Sequence, residues 1–286
     1  MTIAPETPRV TSTPRSDVRA VRLGTTSRVA IALASAVGVI AFVWPFVAAP
    51  GSTAVAHATD APLLFAVVVP ILVVVVLAQV SDGGMDAKSI AMLGVLSAVI
   101  SALRPLGGGT AGIEPIWVIL ILGGRALGPG FGFSLGAISL FASALITGGV
   151  GPWLPFQMLA AAWVGLGAGL LPRRGWSGMR ELAMLAGYGA VASLVYGFLM
   201  NLWFWPFTTN LPEQVAYIAG APVTENLLSW LRFCIMTSLG YDIPRALLTV
   251  VLILVAGRPI LIALRRMSRK AAFEAPVRFE SAGNGS

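Results

Sequence analysis

The sequence predicts an all-α protein, a polytopic bundle of membrane helices, and three observations carry that prediction. Of its 286 residues 57% are hydrophobic and only 11% charged, with a mean hydropathy of +0.85. That leaves too little polar surface to coat a water-soluble globule of this size, so the solvent must be lipid. Apolar runs recur along the chain at roughly 17 to 23 residues, the length a helix needs to cross a bilayer core. The joints between these runs combine Gly, Pro and Trp where a soluble domain would use charged loops.

Residues 1–28 carry Pro, Thr, Ser and five arginines with no hydrophobic periodicity, and read as a basic tail. Eight spans follow, near 29–48, 62–80, 89–103, 115–127, 131–147, 155–171, 182–204 and 243–264. The first run is longer than the apolar region of a signal peptide, although the AAPGSTAVAHA stretch after it has cleavage-like spacing. The third and fourth runs are short for simple crossings, which tilt or local thinning would accommodate. With the N-terminus cytoplasmic, eight spans leave all but Arg104, Arg232 and Arg245 of the 19 Lys and Arg residues on the cytoplasmic side. That asymmetry predicts both termini inside, with 268–286 as a second tail. The stretch 208–241 is the longest interruption and holds a segment too short to span, so an outer cap over a cavity is expected there.

The net charge of +7 does not indicate nucleic acid, because the basic residues cluster in tails and short loops and form no groove with interleaved aromatics. The lone Cys234 excludes an intrachain disulfide framework and a Cys-based metal cluster. Gly132, Ser134 and Gly136 match G-x-S-x-G, yet no strand precedes them and the only histidine, His57, lies in the first outer loop. The SDGGMDAKS stretch ends like a phosphate loop, but Ala87 replaces the required Gly and Asp82 occupies the first Gly position. Tyr188 between two glycines lacks the preceding Thr-Val of a potassium filter, and the Asn284 glycosylation match falls on the predicted inner tail.

Small residues recur at helical spacing. Ala87, Ala91 and Val95 form one row, Gly94, Ala98 and Ala102 an adjacent one, and similar rows occur at Gly128, Gly132, Gly136 and at Ala161, Gly165, Gly169. Such rows let a second backbone approach closely; the latter two read as packing within the bundle. Polar and aromatic residues gather at the outer ends: Arg104 and Glu114, Trp153 and Gln157, Asn201, Trp203 and Trp205, then Tyr241, Asp242 and Arg245. An aromatic belt accounts for the Trp and Tyr residues. It does not account for the ionisable ones, which are costly near hydrocarbon unless they pair or line a wet cavity. An outward-facing pocket for a small molecule is the resulting expectation, with these ten residues as its candidates. No row of acidic residues marks an ion path, and no His/Asp pair, metal-ligand set or nucleophile with a base marks catalysis. A stand-alone secondary transporter and a membrane enzyme or assembly factor remain the alternative classes.

From Ala87 to about Met267 the chain resembles the substrate-binding S component of energy-coupling factor (ECF) vitamin transporters. The likeness is carried by the small-residue helix ending in Leu103-Arg104-Pro105, by GPGFGFSLGA, by TGGVGPWLPFQMLAAAWVGLGAGLLP and by TSLGYDIPRALLTVVLILVAGRPIL. It implies a six-helix substrate-binding core at 87–267, preceded at 29–80 by a two-helix membrane extension that departs from the family's pattern. It also implies a non-enzymatic role without cofactor or metal: capture of a vitamin or related micronutrient outside, and docking on a transmembrane coupling (T) component driven by a pair of ABC-type ATPases. The family's Ala-x-x-x-Ala docking signature lands on Ala87 and Ala91, with Gly94, Ala98 and Ala102 as the competing face. The GPWLPFQMLAAAWVGL run looks most like members assigned to cobalamin or its precursors.

Overall fold

The structure, a computed structural model, describes residues 23–50, 61–82, 85–107, 112–173 and 175–272. The tails 1–22 and 273–286, His57 and Asn284 lie outside the described residues. Within them the chain forms nine α-helices: α1 Thr25–Val47, α2 Ala61–Ser81, α3 Ala87–Leu103, α4 Ile116–Leu127, α5 Pro129–Thr147, α6 Leu154–Leu170, α7 Gly178–Phe204, α8 Val223–Thr237 and α9 Leu239–Ala272. Each of the eight expected spans coincides with one helix, and α8 is the short segment expected within 208–241. The basic stretches fray less than expected: α1 already includes Thr25 to Arg28, and α9 runs eight residues past 264.

By length and composition, five helices can cross a membrane: α1, α3 with the 3-10 turn Arg104–Gly107 that extends it, α5, α7 with the turn Trp205–Phe207, and α9. The apolar helices α4 and α6 are shorter, at 12 and 17 residues, whereas α2 at 21 residues has the length of a span. The brevity of α4 has a packing explanation. Every one of its residues but Ile119 is buried, and it contacts α3, α5, α6, α7 and α9, so protein rather than lipid surrounds it. At about 1.5 Å per residue it need not match the thickness of the hydrocarbon core. Gly128, with φ of 112° that favours glycine, ends α4, and Pro129 opens α5 at once.

The tightest pair in the bundle is α5 against α6. A Cβ on Gly132 would collide with the backbone of Gly165, one on Gly136 with that of Ala161, and one on Gly169 with that of Pro129. The two small-residue rows therefore face each other and bring the helix backbones into direct contact, the van der Waals gain that lipid cannot replace. The two N-terminal helices pack onto this core. Phe42 of α1 meets Phe156 and Trp163 of α6 at centroid distances of 5.0 and 5.7 Å, and Trp163 Nε1 donates to Ser35 Oγ at 3.0 Å. At the other end of α1, Ser27 donates both its backbone N–H and its hydroxyl to the Asp82 carboxylate, each at 2.7 Å, tying the start of α1 to the end of α2.

Two polar ends result. One, which we call the Arg125 end, gathers the start of α1, the ends of α2, α4 and α6 and the starts of α5 and α7; the last turns of α9 reach it through Arg265. The other, the Arg245 end, carries the starts of α4, α6 and α9, the turn after α7, and α8.

Candidate functional site

At the Arg245 end Asp242 and Arg245 lie one turn apart near the start of α9. Arg245 Nη1 donates to Asp242 Oδ1 at 2.7 Å and to the Ser193 carbonyl at 3.4 Å, and its Nε donates to Glu114 Oε2 at 3.0 Å. Ser238 Oγ fills the second oxygen of Asp242 at 2.7 Å, and Trp117 Nε1 shares Glu114 Oε2 at 2.8 Å. The guanidinium rests over the Tyr196 ring, 5.3 Å from its centroid, and Trp117 packs on the same ring at 4.4 Å. One arginine thus joins α4, α7 and α9 through two carboxylates and an aromatic face, the planar fork geometry that lysine cannot reproduce. Arg104 Nη2 donates to Gln157 Oε1 at 2.8 Å and lies within electrostatic reach of Tyr196. The two arginines and two carboxylates balance in charge, which suits groups held close to hydrocarbon.

A cleft of about 360 Å³ opens beside this cluster. Tyr196, Met200, Asn201 and Phe204 line it from one face of α7, Phe233 and Thr237 from α8, and Tyr241, Asp242 and Arg245 from α9. The buried amide nitrogen of Asn201 has no hydrogen-bond partner beyond the weak thiol of Cys234 nearby. Segment 208–222 runs past this opening, contributing Thr208 and Leu211 to its wall. A depression of about 450 Å³ along α9 is lined by one helix alone, with Arg266 its single charged residue, and has no such convergence.

Of the ten residues expected at an outer pocket, Asn201, Tyr241, Asp242 and Arg245 line the cleft and Glu114 is bonded to Arg245. Arg104 and Gln157 bond to each other at the same end, while Trp153 packs edge-on against Trp203 at 6.2 Å. Trp205 stands apart: it is fully buried, donates Nε1 to the Val215 carbonyl at 2.6 Å and forms a small core with Val215 and Phe233 beneath the cap. Sequence reasoning passed over Trp117, Tyr196 and Met200. A signal existed, since Tyr196, Met200, Asn201 and Phe204 recur at helical spacing on one face of α7.

Along α3, the residues expected to dock a partner, Ala87, Ala91, Gly94, Ala98 and Ala102, are all exposed, and a Cβ on Gly94 would meet nothing. The opposite face, with Ser89, Leu93, Ser97, Ile100 and Ser101, is buried; Ser101 Oγ donates to the Ser139 carbonyl of α5 at 3.1 Å.

The Arg125 end holds a second ion cluster that the sequence reading treated only as topological charge. Arg125, 1% exposed, donates Nε to Glu181 Oε1 at 2.6 Å and Nη1 to the carbonyls of Leu171 and Pro172 at 2.9 and 3.1 Å. Arg265 donates to the same Glu181 oxygen at 2.5 Å, and Arg173 to the Arg125 carbonyl at 2.8 Å. The cluster ties α4, α6, α7 and α9 together. Among the described residues no group of His, Cys, Asp and Glu could hold a metal ion.

Neither the curated proteins nor the solved structures contain a significant match to this chain. The profile of the family described as ECF transporter, substrate-specific component, matches residues 88–261, from the start of α3 into α9, and so takes in the Arg245 cluster, the cleft and, of the other cluster, Arg125, Arg173 and Glu181 but not Arg265. Over that span, well beyond half of its length, the chain belongs to the family of substrate-specific components of ECF transporters.

Proposed function

We propose that the chain captures a vitamin or related micronutrient in the cleft at its Arg245 end, and that this end faces outward. The observation that carries the reading is the charge-balanced cluster of Glu114, Asp242 and Arg245 with Arg104, opening on a cleft at one end of an otherwise apolar bundle. Buried ions that only stabilised the fold would need no opening beside them. The orientation is supported by Arg28, Lys88, Arg125, Arg173, Arg180, Arg265 and Arg266, all on helix ends or loops at the Arg125 end, as expected of a cytoplasmic face. Docking on a transmembrane coupling component, itself driven by a pair of ABC-type ATPases, uses the small-residue face of α3, which is exposed among the described residues.

For the substrate, cobalamin or a precursor is the first candidate, on the likeness of the 151–166 run. About 360 Å³ lies at the lower end of the volumes of small-molecule sites. A corrinoid is too large for it, so a ligand of that size enters only with the 208–241 cap displaced; a smaller flat ring would stack on the Trp and Tyr faces with the cap in place.

The test is a mild-detergent pull-down of the tagged protein from its native membranes with mass spectrometry of what accompanies it. Recovery of a second membrane protein with ABC-type ATPases is expected; clean isolation at normal expression would return the chain to a stand-alone transporter. Cobalamin added to the purified protein and washed should leave visible absorbance, and a colourless protein would remove cobalamin as the substrate.

A further inference from the structure

The N-terminal helix α1 lies outside the residues matched by the family profile, yet its last turns reach the cap of the cleft. Trp44 packs on Phe207 and Tyr217 at 5.9 and 6.2 Å, and Phe46 on Trp205 and Trp230 at 6.3 and 6.2 Å. These four partners belong to the turn after α7, to the loop 208–222 and to α8, the parts that roof the cleft. The contact continues inward: Phe207 touches Trp203, Trp203 touches Phe204, and Phe204 touches Phe233, the last two lining the cleft.

Besides α1, α7 holds the roof through Phe198 on Trp230 at 6.0 Å and Phe204 on Phe233 at 6.5 Å, and the polar contacts of the roof are few. Trp205 donates to the Val215 carbonyl, Asn226 exchanges two hydrogen bonds with the backbone of Ile218 at 3.2 and 2.8 Å, and Arg232 reaches the Gln214 carbonyl at a long 3.4 Å. These bonds join the loop to its own flanks, at Trp205 and on α8. They fix its shape but do not tether the loop and α8 as a unit to the body of the bundle. The four aromatic contacts from α1 do, adding to those from α7, because α1 is itself anchored on α6 through Phe42, which packs on Phe156 and Trp163. Aromatic pairs of this kind each contribute about 0.5–1.5 kcal/mol beyond area burial, enough for four together to set a closed-to-open equilibrium.

We propose that Trp44 and Phe46 are positioning residues of the substrate gate, by which α1 holds the roof formed by residues 205–237 closed over the cleft. The proposal rests on the cleft being the substrate site, and it gives the N-terminal extension a role in capture, since ligand entry requires the aromatic contacts with α1 to part.

The native protein carries its own reporter. Cys234, the only cysteine, is 1% exposed within the roof, next to Phe233, and burial pushes its thiol up to about 11, so it reacts slowly with maleimide while the roof is closed. In the full chain in lipid nanodiscs, the double variant Trp44→Ala/Phe46→Ala should label at Cys234 at least ~10-fold faster. Hydrogen exchange should quicken in 205–237 and stay unchanged in α4 to α6. Ser35→Ala, which removes an anchor of α1 remote from the roof, and the conservative Trp44→Phe should both keep the wild-type labelling rate. If the double variant fails to insert or fold, Tyr217→Ala removes one of the four contacts from the roof side, together with its packing on Trp205, and must still accelerate labelling, by a smaller factor. Wild-type labelling in Trp44→Ala/Phe46→Ala or, where that does not fold, in Tyr217→Ala, or exchange that rises equally through α4 to α6, overturns the proposal. Neither readout needs ligand or partner, so a protein isolated without ABC-type ATPases would refute the ATPase-driven reading and leave this result standing.

Discussion

Arg125 and Arg245 are both buried arginines bonded to carboxylates, and their difference lies in what surrounds them. Arg245 borders the cleft and exchanges contacts with an aromatic face; Arg125 is sealed, with every partner a carboxylate or a backbone carbonyl. Among the described residues Glu181 is the only carboxylate bonded to Arg125, and it also takes Arg265. Glu181→Ala would leave a sealed cation beside a second, partly exposed one. Removing one partner of a buried pair in this way costs about 3–5 kcal/mol, because the remaining charge is desolvated without compensation. Unfolding of the purified variant in detergent against the wild type should show a loss of this order, and a change under about 0.5 kcal/mol, ordinary for a surface site, would refute a stapling role. Substrate capture is not expected to change in Glu181→Ala where it folds, since the whole bundle separates the two clusters.

At the scale of helices, the α1–α2 contact depends on pH through Asp82. The hydroxyl of Ser27, then its backbone N–H, hold the Asp82 carboxyl below its ordinary value. A depressed carboxyl contributes stability that is present above its unfolded-state value and is lost as pH falls through the folded one, so the window lies below about pH 4. Exchange of the Ser27 amide, corrected for its intrinsic rate, should quicken on acidification through that window in the wild type and be fast and flat in Asp82→Ala. A wild-type profile that is equally flat would show that the contact does not depend on the charge. The helices were legible in the sequence because lipid imposes one length and one polarity on whatever crosses it. The short α4 was visible as an anomaly, but its cause, burial among other helices, is a tertiary fact. The end of α9 was misjudged because Arg265 and Arg266 read as a tail, whereas Arg265 finds Glu181 and the helix continues past it. The site was half legible: a charge near hydrocarbon announces itself, as Asp242 and Arg245 did, whereas Trp117 and Tyr196 look like any core aromatic until their ring faces are known. Trp205 marks the same limit from the other side, since its residue type and position gave no hint that the ring turns under the cap.

For the molecule as a whole, the proposed sites of capture and docking lie on different helices: the cleft is enclosed by α7, α8 and α9, and the open small-residue face belongs to α3. A partner that docked there would approach without touching the cleft, and α3 presents buried Leu93, Ile100 and three serines to the rest of the bundle on its other side. Ala91→Leu is the discriminating change. Ala91 is exposed, so leucine there adds apolar surface toward lipid and should alter stability by no more than about 0.5 kcal/mol. Against a partner backbone the same side chain would hold two helices apart and abolish the close contact that small residues permit. The expected result is loss of the accompanying membrane protein and ATPases from the pull-down, with the Cys234 labelling rate unchanged. Wild-type recovery of partners would place docking elsewhere on the surface; loss of partners together with faster labelling would mean that Ala91 packs the bundle. Because the cleft and the α3 face are built from different helices of one apolar bundle, occupancy of the proposed substrate site can reach the proposed docking face in two ways, by repacking the bundle or by moving it whole. The direct backbone contacts between α5 and α6 oppose repacking, since no side chain lies between them to change rotamer. Motion of the whole body in the membrane, with only the roof rearranging, is the route that this packing leaves open.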